Sequence, residues 1–373
     1  MAKILMVKPS CTNHYYLATA AILSPPKAAL SLSKSMAACS SFCPQRPLQL
    51  RRKTISRLPI KPQFSVQVKA FSSQESSAPP KDDSSSGWLS WSWNYGLSNG
   101  SKSHKSRDQK QCDPLISLGA KYKSSPEEVA ASCDVTFAML ADPESAVDVA
   151  CGKHGAAGGM SPRKGYVDIS TVDGETSKLI SAHIKSTGAL FLEAPVSGSK
   201  KPAEDGQLIF LTAGDKSLYE TAAPLLDIMG KSRFYLGDVG NGAAMKLVVN
   251  MIMGSMMASF SEGLLLSEKV GLDPKVLVEV ISQGAISAPM YSMKGPSMVQ
   301  SLYPTAFPLK HQQKDLRLAL GLAESVSQAT PIAAAANELY KVAKAHGLSD
   351  NDFSAVIEAL KGNCKKDHRY PSL

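Results

Sequence analysis

The first 74 residues of this 373-residue chain contain no Asp or Glu, although they carry 11 of its 41 Lys and Arg side chains. The rest of the chain holds 30 basic against 32 acidic residues, so the formal charge of +9 belongs to this leader. A nearly neutral body excludes a general nucleic-acid-binding surface. A Ser-rich basic leader without acids is typical of an organelle transit peptide. We predict a disordered transit peptide over residues 1–70, addressed to the chloroplast or, alternatively, to the mitochondrion.

The sequence also lacks any run of 18 apolar residues. The longest candidate, Leu247 to Phe260, contains Asn250 and follows Lys246, which makes it too short and too polar to span a bilayer. The cysteines outside the leader show no metal-ligand spacing; they are Cys112, Cys133, Cys151 and Cys364. We therefore expect neither a membrane span nor a metal site.

Short apolar strands alternate with helices from residue 116 onward, as in the segments 135–140, 165–169 and 189–193. This alternation predicts parallel βαβ units covered on both faces. After Gly242 the pattern becomes entirely helical, beginning with one long buried helix over 243–270. Further helices are predicted at 274–283, 311–328, 331–346 and 350–361.

These patterns predict an α/β Rossmann-like domain, with its first βαβ unit absent or damaged, followed by an all-α C-terminal domain. The predicted divisions are the leader 1–70, a linker and anomalous segment 71–111, the remaining Rossmann-like domain 112–240, the helical domain 241–361 and a tail 362–373.

The first candidate site is a Pro/Ser/Gly-rich loop that follows a strand ending at Glu193. In open α/β sheets, ligands bind where strands reach their carboxyl ends. Ser197 offers a hydroxyl, and Gly198 lets backbone N–H groups approach an anion. An ordinary surface loop is the alternative.

Two helical motifs carry the other candidates. Lys246 and Asn250 are four residues apart on a face otherwise apolar, where an ammonium group is costly unless it is paired or used. A functional lysine there would polarise or protonate a carbonyl oxygen. The alternative is a structural lysine whose side chain extends to solvent. In the run 307–320, Lys314 and Asp315 lie on a predicted helix. Taken in isolation, this basic helix face could equally be an ordinary face exposed to solvent.

Together, the segments EAPVSGSKKPAEDGQ, from Glu193, and FPLKHQQKD, from Phe307, resemble the β-hydroxyacid dehydrogenase family, which includes 3-hydroxyisobutyrate dehydrogenases. Within it, they are most similar to the plastid form of the plant glyoxylate/succinic semialdehyde reductases. The resemblance covers about residues 112–361. It implies NADPH-dependent reduction of glyoxylate to glycolate and of succinic semialdehyde to 4-hydroxybutyrate, in a homo-oligomer. A 3-hydroxyisobutyrate-type substrate remains an alternative.

The resemblance also assigns roles to residues. Lys246 and Asn250 correspond to the catalytic pair, and Ser197 and Gly198 to the substrate loop. The residues implied to contact the cofactor are Met139, Leu140, Thr171, Lys314 and Asp315.

The glycine-rich motif G-x-G-x-x-G, which binds the pyrophosphate of a dinucleotide, is missing from its expected place. Residues 84–111 instead lack Val, Ile and Thr and hold all three tryptophans, at positions 88, 91 and 93. Tryptophan has the single codon TGG, so a shift of one base turns each into GGN, a glycine codon. With permitted codons, residues 88–106 then read GFLGLGIMGSPMAQNLIKA. We hypothesise that 87–111 is a frameshifted reading of the first βαβ unit.

A chain translated as written is expected to bind NADPH weakly, because no loop would hold the pyrophosphate. The competing interpretation is a non-catalytic family remnant that acts at most as a helical oligomerisation module.

Overall fold

The computed structural model describes residues 2–6, 19–22, 116–117 and 120–361. The anomalous segment 71–111 and the tail 362–373 lie outside the described residues, as does most of the leader. Strands form one mixed sheet. They are β1 Ala2–Met6, β2 Thr19–Ile22, β3 Lys121–Tyr122, β4 Val135–Ala138, β5 Gly165–Asp168, β6 Leu190–Glu193, β7 Val196–Ser197, β8 Leu208–Gly214 and β9 Gly230–Tyr235.

The helices follow the predicted alternation and then accumulate at the C-terminal end. They are α1 Pro126–Ala131, α2 Pro143–Cys151, α3 Gly174–Ser186, α4 Lys200–Glu204, α5 Lys216–Met229, α6 Asn241–Lys269, α7 Pro274–Gln283, α8 Pro289–Val299, α9 Leu309–Ser325 and α10 Pro331–Ala345. Short 3₁₀ segments span Ala156–Gly159 and Phe353–Ala359. The segment predicted as a helix over 350–361 is thus a 3₁₀ turn, and α4 and α8 were not anticipated because Pro and Gly interrupt their sequences.

The centre of the sheet has the predicted parallel arrangement. β4, β5 and β6 run parallel, and every residue of β4 and β5 is buried, as expected for strands covered on both faces. The predicted parallel βαβ pattern does not extend to β8, which pairs antiparallel with β6 and β7. The connection after β6 holds only β7 and the five-residue α4, so the chain re-enters the sheet from the end at which it left.

Two positions of the sheet, between β3 and β4, are taken by an antiparallel pair from the leader. β1 runs parallel to β3, and β2 runs antiparallel to β4. Two short segments of the predicted leader are thus paired strands in this structure, and the predicted transit peptide over 1–70 stays a prediction. Without a first βαβ unit, the flank of β4 would present unpaired backbone groups, and pairing with another strand satisfies them.

The helical domain is built around α6, which matches the predicted long helix. Helices α9 and α10 and the 353–359 turn pack against it, and their buried side chains form one cluster that includes Met257, Leu316 and Tyr340. By length and composition α6 could cross a membrane, but here it is the central helix of a packed core. The described residues thus have the predicted architecture: a Rossmann-like α/β domain, without its first βαβ unit, followed by an all-α domain.

Candidate active site

The carboxyl ends of β4 and β5 bring two short loops together. The backbone N–H of Leu140, just after β4, donates to Ser170 Oγ, just after β5, at 2.9 Å. Leu140 is buried, whereas Met139 and Thr171 are half-buried. Three predicted cofactor-contacting residues, Met139, Leu140 and Thr171, therefore lie at the same edge of the sheet, where ligands of this architecture bind.

The predicted substrate loop is more ordered than its sequence indicates. Ser197 belongs to β7, which pairs with β8 and contacts α6. Gly198 has a φ of +142°, and a Cβ there would lie 2.6 Å from the Leu208 side chain. Only glycine fits this position without strain. Ser197 is half-buried and Gly198 is exposed, and β7 contacts the helix that carries Lys246.

Lys246 is buried in the first turns of α6, with 7% of its surface exposed. Its Nζ donates to Asn250 Oδ1 at 2.9 Å, as the i, i+4 spacing predicts. Burial lowers the pKa of Lys246 to about 8; the charge of nearby Asp315 opposes this shift and that of Lys314 adds to it. An ammonium group whose pKa lies near neutral pH is suited to donate a proton.

A chain of polar contacts joins α6 to the sheet through α9. Asn250 Nδ2 donates to Asp315 Oδ2 at 2.6 Å, and Lys314 Nζ lies 3.0 Å from Asp315 Oδ1. Lys314 Nζ also donates to the carbonyl oxygen of Thr171. The structure therefore brings together five predicted residues from three separate segments, and it favours the functional interpretation of Lys314 over a solvated basic face.

Two buried carboxylates at the ends of neighbouring strands were not predicted to matter. Asp168 ends β5 and Glu193 ends β6, and they are register partners. Burial raises the pKa of Asp168 to about 6, and Glu193 adds to this rise. The only sequence signal was an acidic residue ending an otherwise apolar strand.

The described residues fit one half of a nicotinamide dinucleotide. The loops after β4 and β5, with Lys314 above Thr171, offer backbone and cationic groups at the sheet edge. The pyrophosphate half lacks a cradle in 120–361, since beside β4 lies the antiparallel β2 and not a parallel strand followed by a glycine-rich loop. No cluster of three metal-binding side chains occurs among these residues either.

Fold and site together define a two-domain, nicotinamide-dependent oxidoreductase. Residues 101–237 match the profile of the NAD binding domain of 6-phosphogluconate dehydrogenase. Residues 240–360 match that of the NAD-binding domain of NADP-dependent 3-hydroxyisobutyrate dehydrogenase. The chain belongs to the 3-hydroxyisobutyrate dehydrogenase family, and the resemblance inferred from its motifs is confirmed.

Individual relatives support the same family assignment. Glyoxylate/succinic semialdehyde reductase 2, chloroplastic, of Arabidopsis thaliana is 70% identical over 348 residues, covering 89% of this chain and 96% of the relative. Glyoxylate/succinic semialdehyde reductase 1 of the same plant is 56% identical over 255 residues, covering 68% and 88%. The solved structure of 3-hydroxyisobutyrate dehydrogenase from Mycobacterium tuberculosis has 27% identity and a TM-score of 0.61, covering 68% of this chain and 88% of that one.

Proposed function

We propose that this protein reduces small aldehyde acids with NADPH, converting glyoxylate to glycolate and succinic semialdehyde to 4-hydroxybutyrate. The observation that carries this proposal is the buried Lys246 ammonium, held by Asn250 on a helix that contacts β7. Such a group is costly to bury and is therefore retained for use. Support for the substrates comes from two relatives named glyoxylate/succinic semialdehyde reductases.

In this mechanism the chain's own residues bind, orient and protonate the substrate. The Ser197 hydroxyl and the backbone N–H groups around Gly198 hold the substrate carboxylate. Lys246 faces the carbonyl oxygen and donates its proton to the developing alkoxide, and a pKa of about 8 keeps much of the lysine protonated at neutral pH. Asn250 and Asp315 keep the amine in place. A bound dihydronicotinamide supplies the hydride.

The pyrophosphate site depends on residues 87–111, whereas the Arg expected to select NADPH over NADH is not recovered by the shifted reading. The matched profile begins at residue 101, so the part of this segment that holds the three tryptophans lies outside the match, while residues 101–111 lie within it. Sequencing the cDNA across codons 84–112 tests the frameshift hypothesis directly. The hypothesis is contradicted if the transcript encodes these tryptophans in frame and if a one-base shift of the surrounding codons does not encode a glycine-rich loop.

The function is tested by comparing two proteins: the chain as written, and the chain with 87–111 replaced by the shifted reading. Each is titrated with NADPH and NADH, assayed for reduction of glyoxylate and succinic semialdehyde with these cofactors, and assayed for oxidation of 3-hydroxyisobutyrate with NADP+ and NAD+. We expect tight NADPH binding and reductase activity from the repaired chain. A preference for 3-hydroxyisobutyrate would support the alternative substrate, and inactivity of both chains would leave the oligomerisation module as the better proposal.

A homo-oligomer formed through the helical domain belongs to this proposal. Helix α7 buries none of its residues, and Val276 and Val280 on it, with Ile252 on α6, are at least half exposed. Apolar surface of this kind is typical of interfaces. Light scattering coupled to size-exclusion chromatography tests the idea, with Val280→Asp expected to shift the protein towards the monomer.

The proposed location is the plastid, with the mitochondrion as the alternative. The acid-free leader and the relative named chloroplastic support it. A fluorescent fusion of residues 1–74, imaged in leaf cells, separates the two organelles.

A further inference from the structure

Helix α6, which carries Lys246, begins without a cap of its own. Its N-cap residue is Gly240, which has no side chain, and its first turn contains no acidic residue. The N-terminus of a helix leaves unpaired N–H groups and a partial positive charge. In the interior of a protein these groups need a partner from elsewhere.

The partner is Glu193, 47 residues upstream at the end of β6. Its Oε1 accepts the N–H groups of Gly240, Gly242 and Ala243, at 2.9, 2.7 and 3.3 Å. Its Oε2 accepts the hydroxyl of Ser177 on α3. One carboxylate, only 2% exposed, therefore joins a strand, a helix of the α/β domain and the first turn of α6.

The local sequence leaves room for this carboxylate. A Cβ on Gly242 would lie 2.9 Å from Glu193 Oε1 and 2.5 Å from the carbonyl oxygen of Leu211. Gly240 has a φ of +104°, a conformation that glycine adopts without strain. Gly242 is thus explained by the approach of Glu193 and of the Leu211 carbonyl, and Gly240 by its own backbone conformation.

The place of Glu193 in the chain gives this cap a functional consequence. The loop that contains Ser197 begins directly after Glu193. The Glu193 side chain also holds Ala243, which lies about one turn before Lys246. Glu193 therefore stands at the start of the substrate loop, while its side chain holds the helix that bears the amine. We propose that Glu193 is a positioning residue that sets Lys246 relative to the substrate loop. This inference rests on the proposed function.

The test uses the variants Glu193→Ala, Glu193→Gln and Ser177→Ala. They are made in the chain as written or in the repaired chain, depending on which of the two reduces glyoxylate. Loss of all four contacts in Glu193→Ala should lower kcat about 100-fold, since a displacement near 1 Å has that effect, with little change in KM or in the Kd for NADPH. Glu193→Gln keeps the shape and an acceptor and should restore much of the rate. Ser177→Ala, which removes one contact, should lower kcat only a few-fold.

The matched control is Asp352→Asn. Asp352 is also a buried capping carboxylate: it accepts the N–H groups of Ala306, Phe307 and Ser354 and pairs with Lys294 at 2.8 Å, and none of these contacts involves Lys246. It should lower the melting temperature and leave kcat unchanged. An equal fall of kcat in Asp352→Asn and Glu193→Ala would overturn the proposal, as would a normal kcat in a folded Glu193→Ala.

A second readout needs no activity and separates this inference from the proposed function. The amine of Lys246 is titrated by NMR of the ¹³C-methylated protein and assigned by its absence from Lys246→Arg. Glu193→Gln and Ser177→Ala should move its titration midpoint, and Asp352→Asn should not. If neither the chain as written nor the repaired chain reduces glyoxylate but the titration midpoint of Lys246 moves, the proposed function fails and the positioning role stands. If the midpoint does not move, the positioning role is refuted.

Discussion

Asn250 donates its side-chain N–H to Asp315 at 2.6 Å, although Asp315 lies on another helix, 65 residues further along the chain. This contact decides which way the amide points: its nitrogen faces the carboxylate, and its oxygen is left to accept the proton of Lys246. An amide held in this way keeps the lysine amine in one position without adding a second charge beside it. Asp315 thus acts on Lys246 through orientation as well as through its charge.

Replacing Asp315 with Asn should change the pH dependence of the reaction. The Asp315 charge raises the pKa of Lys246, so removing the charge lowers that pKa further below about 8. Because the protonated amine is the active form, the basic limb of the kcat profile should move to lower pH. At pH 7 the rate should fall about tenfold, or ~1.4 kcal/mol in activation free energy. An unchanged profile would argue against Lys246 as the proton donor.

Lys246→Met should separate catalysis from stability. Loss of a general acid lowers kcat by about 10²- to 10⁴-fold. The folded-state pKa of about 8 is below the unfolded value of 10.5, so the unfolded chain binds more protons between these values. Burying the charged lysine therefore destabilises the fold below pH 8, by at most about 3 kcal/mol, and this cost disappears as the pH rises towards 10.5.

Denaturant unfolding at several pH values measures this effect. Lys246→Met should be the more stable protein at pH 7, and its advantage should shrink between pH 8 and pH 10.5. Lys341→Met, which changes an exposed lysine paired with Glu338, serves as the control and should show no such pH dependence. A lower stability of Lys246→Met at pH 7 would show that the contact with Asn250 outweighs the cost of burial.

The parts of the fold that depend on local pattern could be predicted from the sequence. The long helix α6 was placed within two residues of its bounds, and the pairing of Lys246 with Asn250 followed from their spacing. The contact of Lys314 with Thr171, across 143 residues, has no local signal and was not predicted, since the resemblance implied only that each residue contacts the cofactor. The antiparallel β8 and the cap on α6 by Glu193 were missed because both depend on how distant segments meet.

Gly198→Ala should weaken substrate binding. At a φ of +142°, with Leu208 2.6 Å from the new Cβ, alanine is strained by about 1–3 kcal/mol, and the loop must shift. The KM for glyoxylate should rise more than kcat falls, as steady-state kinetics will show. Gly321→Ala is the matched control: its Cβ meets nothing within 4 Å in the interior of α9, where alanine should add up to about 1 kcal/mol of stability. Equal effects of both variants on KM would refute the role of the loop.

Removal of the leader should distinguish the chain as written from its repaired form. In the structure β1 and β2 pair with β3 and β4, so deleting residues 1–70 from the chain as written takes away two strands and exposes the flank of β4. We expect that truncated protein to aggregate or to melt at a markedly lower temperature. In the repaired chain, the restored first strand can still cover the flank of β4, so the deletion should change the melting temperature less than in the chain as written and should leave NADPH binding unchanged. If instead both truncated proteins melt like their full-length forms, β1 and β2 contribute nothing to stability, and residues 71–111 as written suffice to complete the sheet.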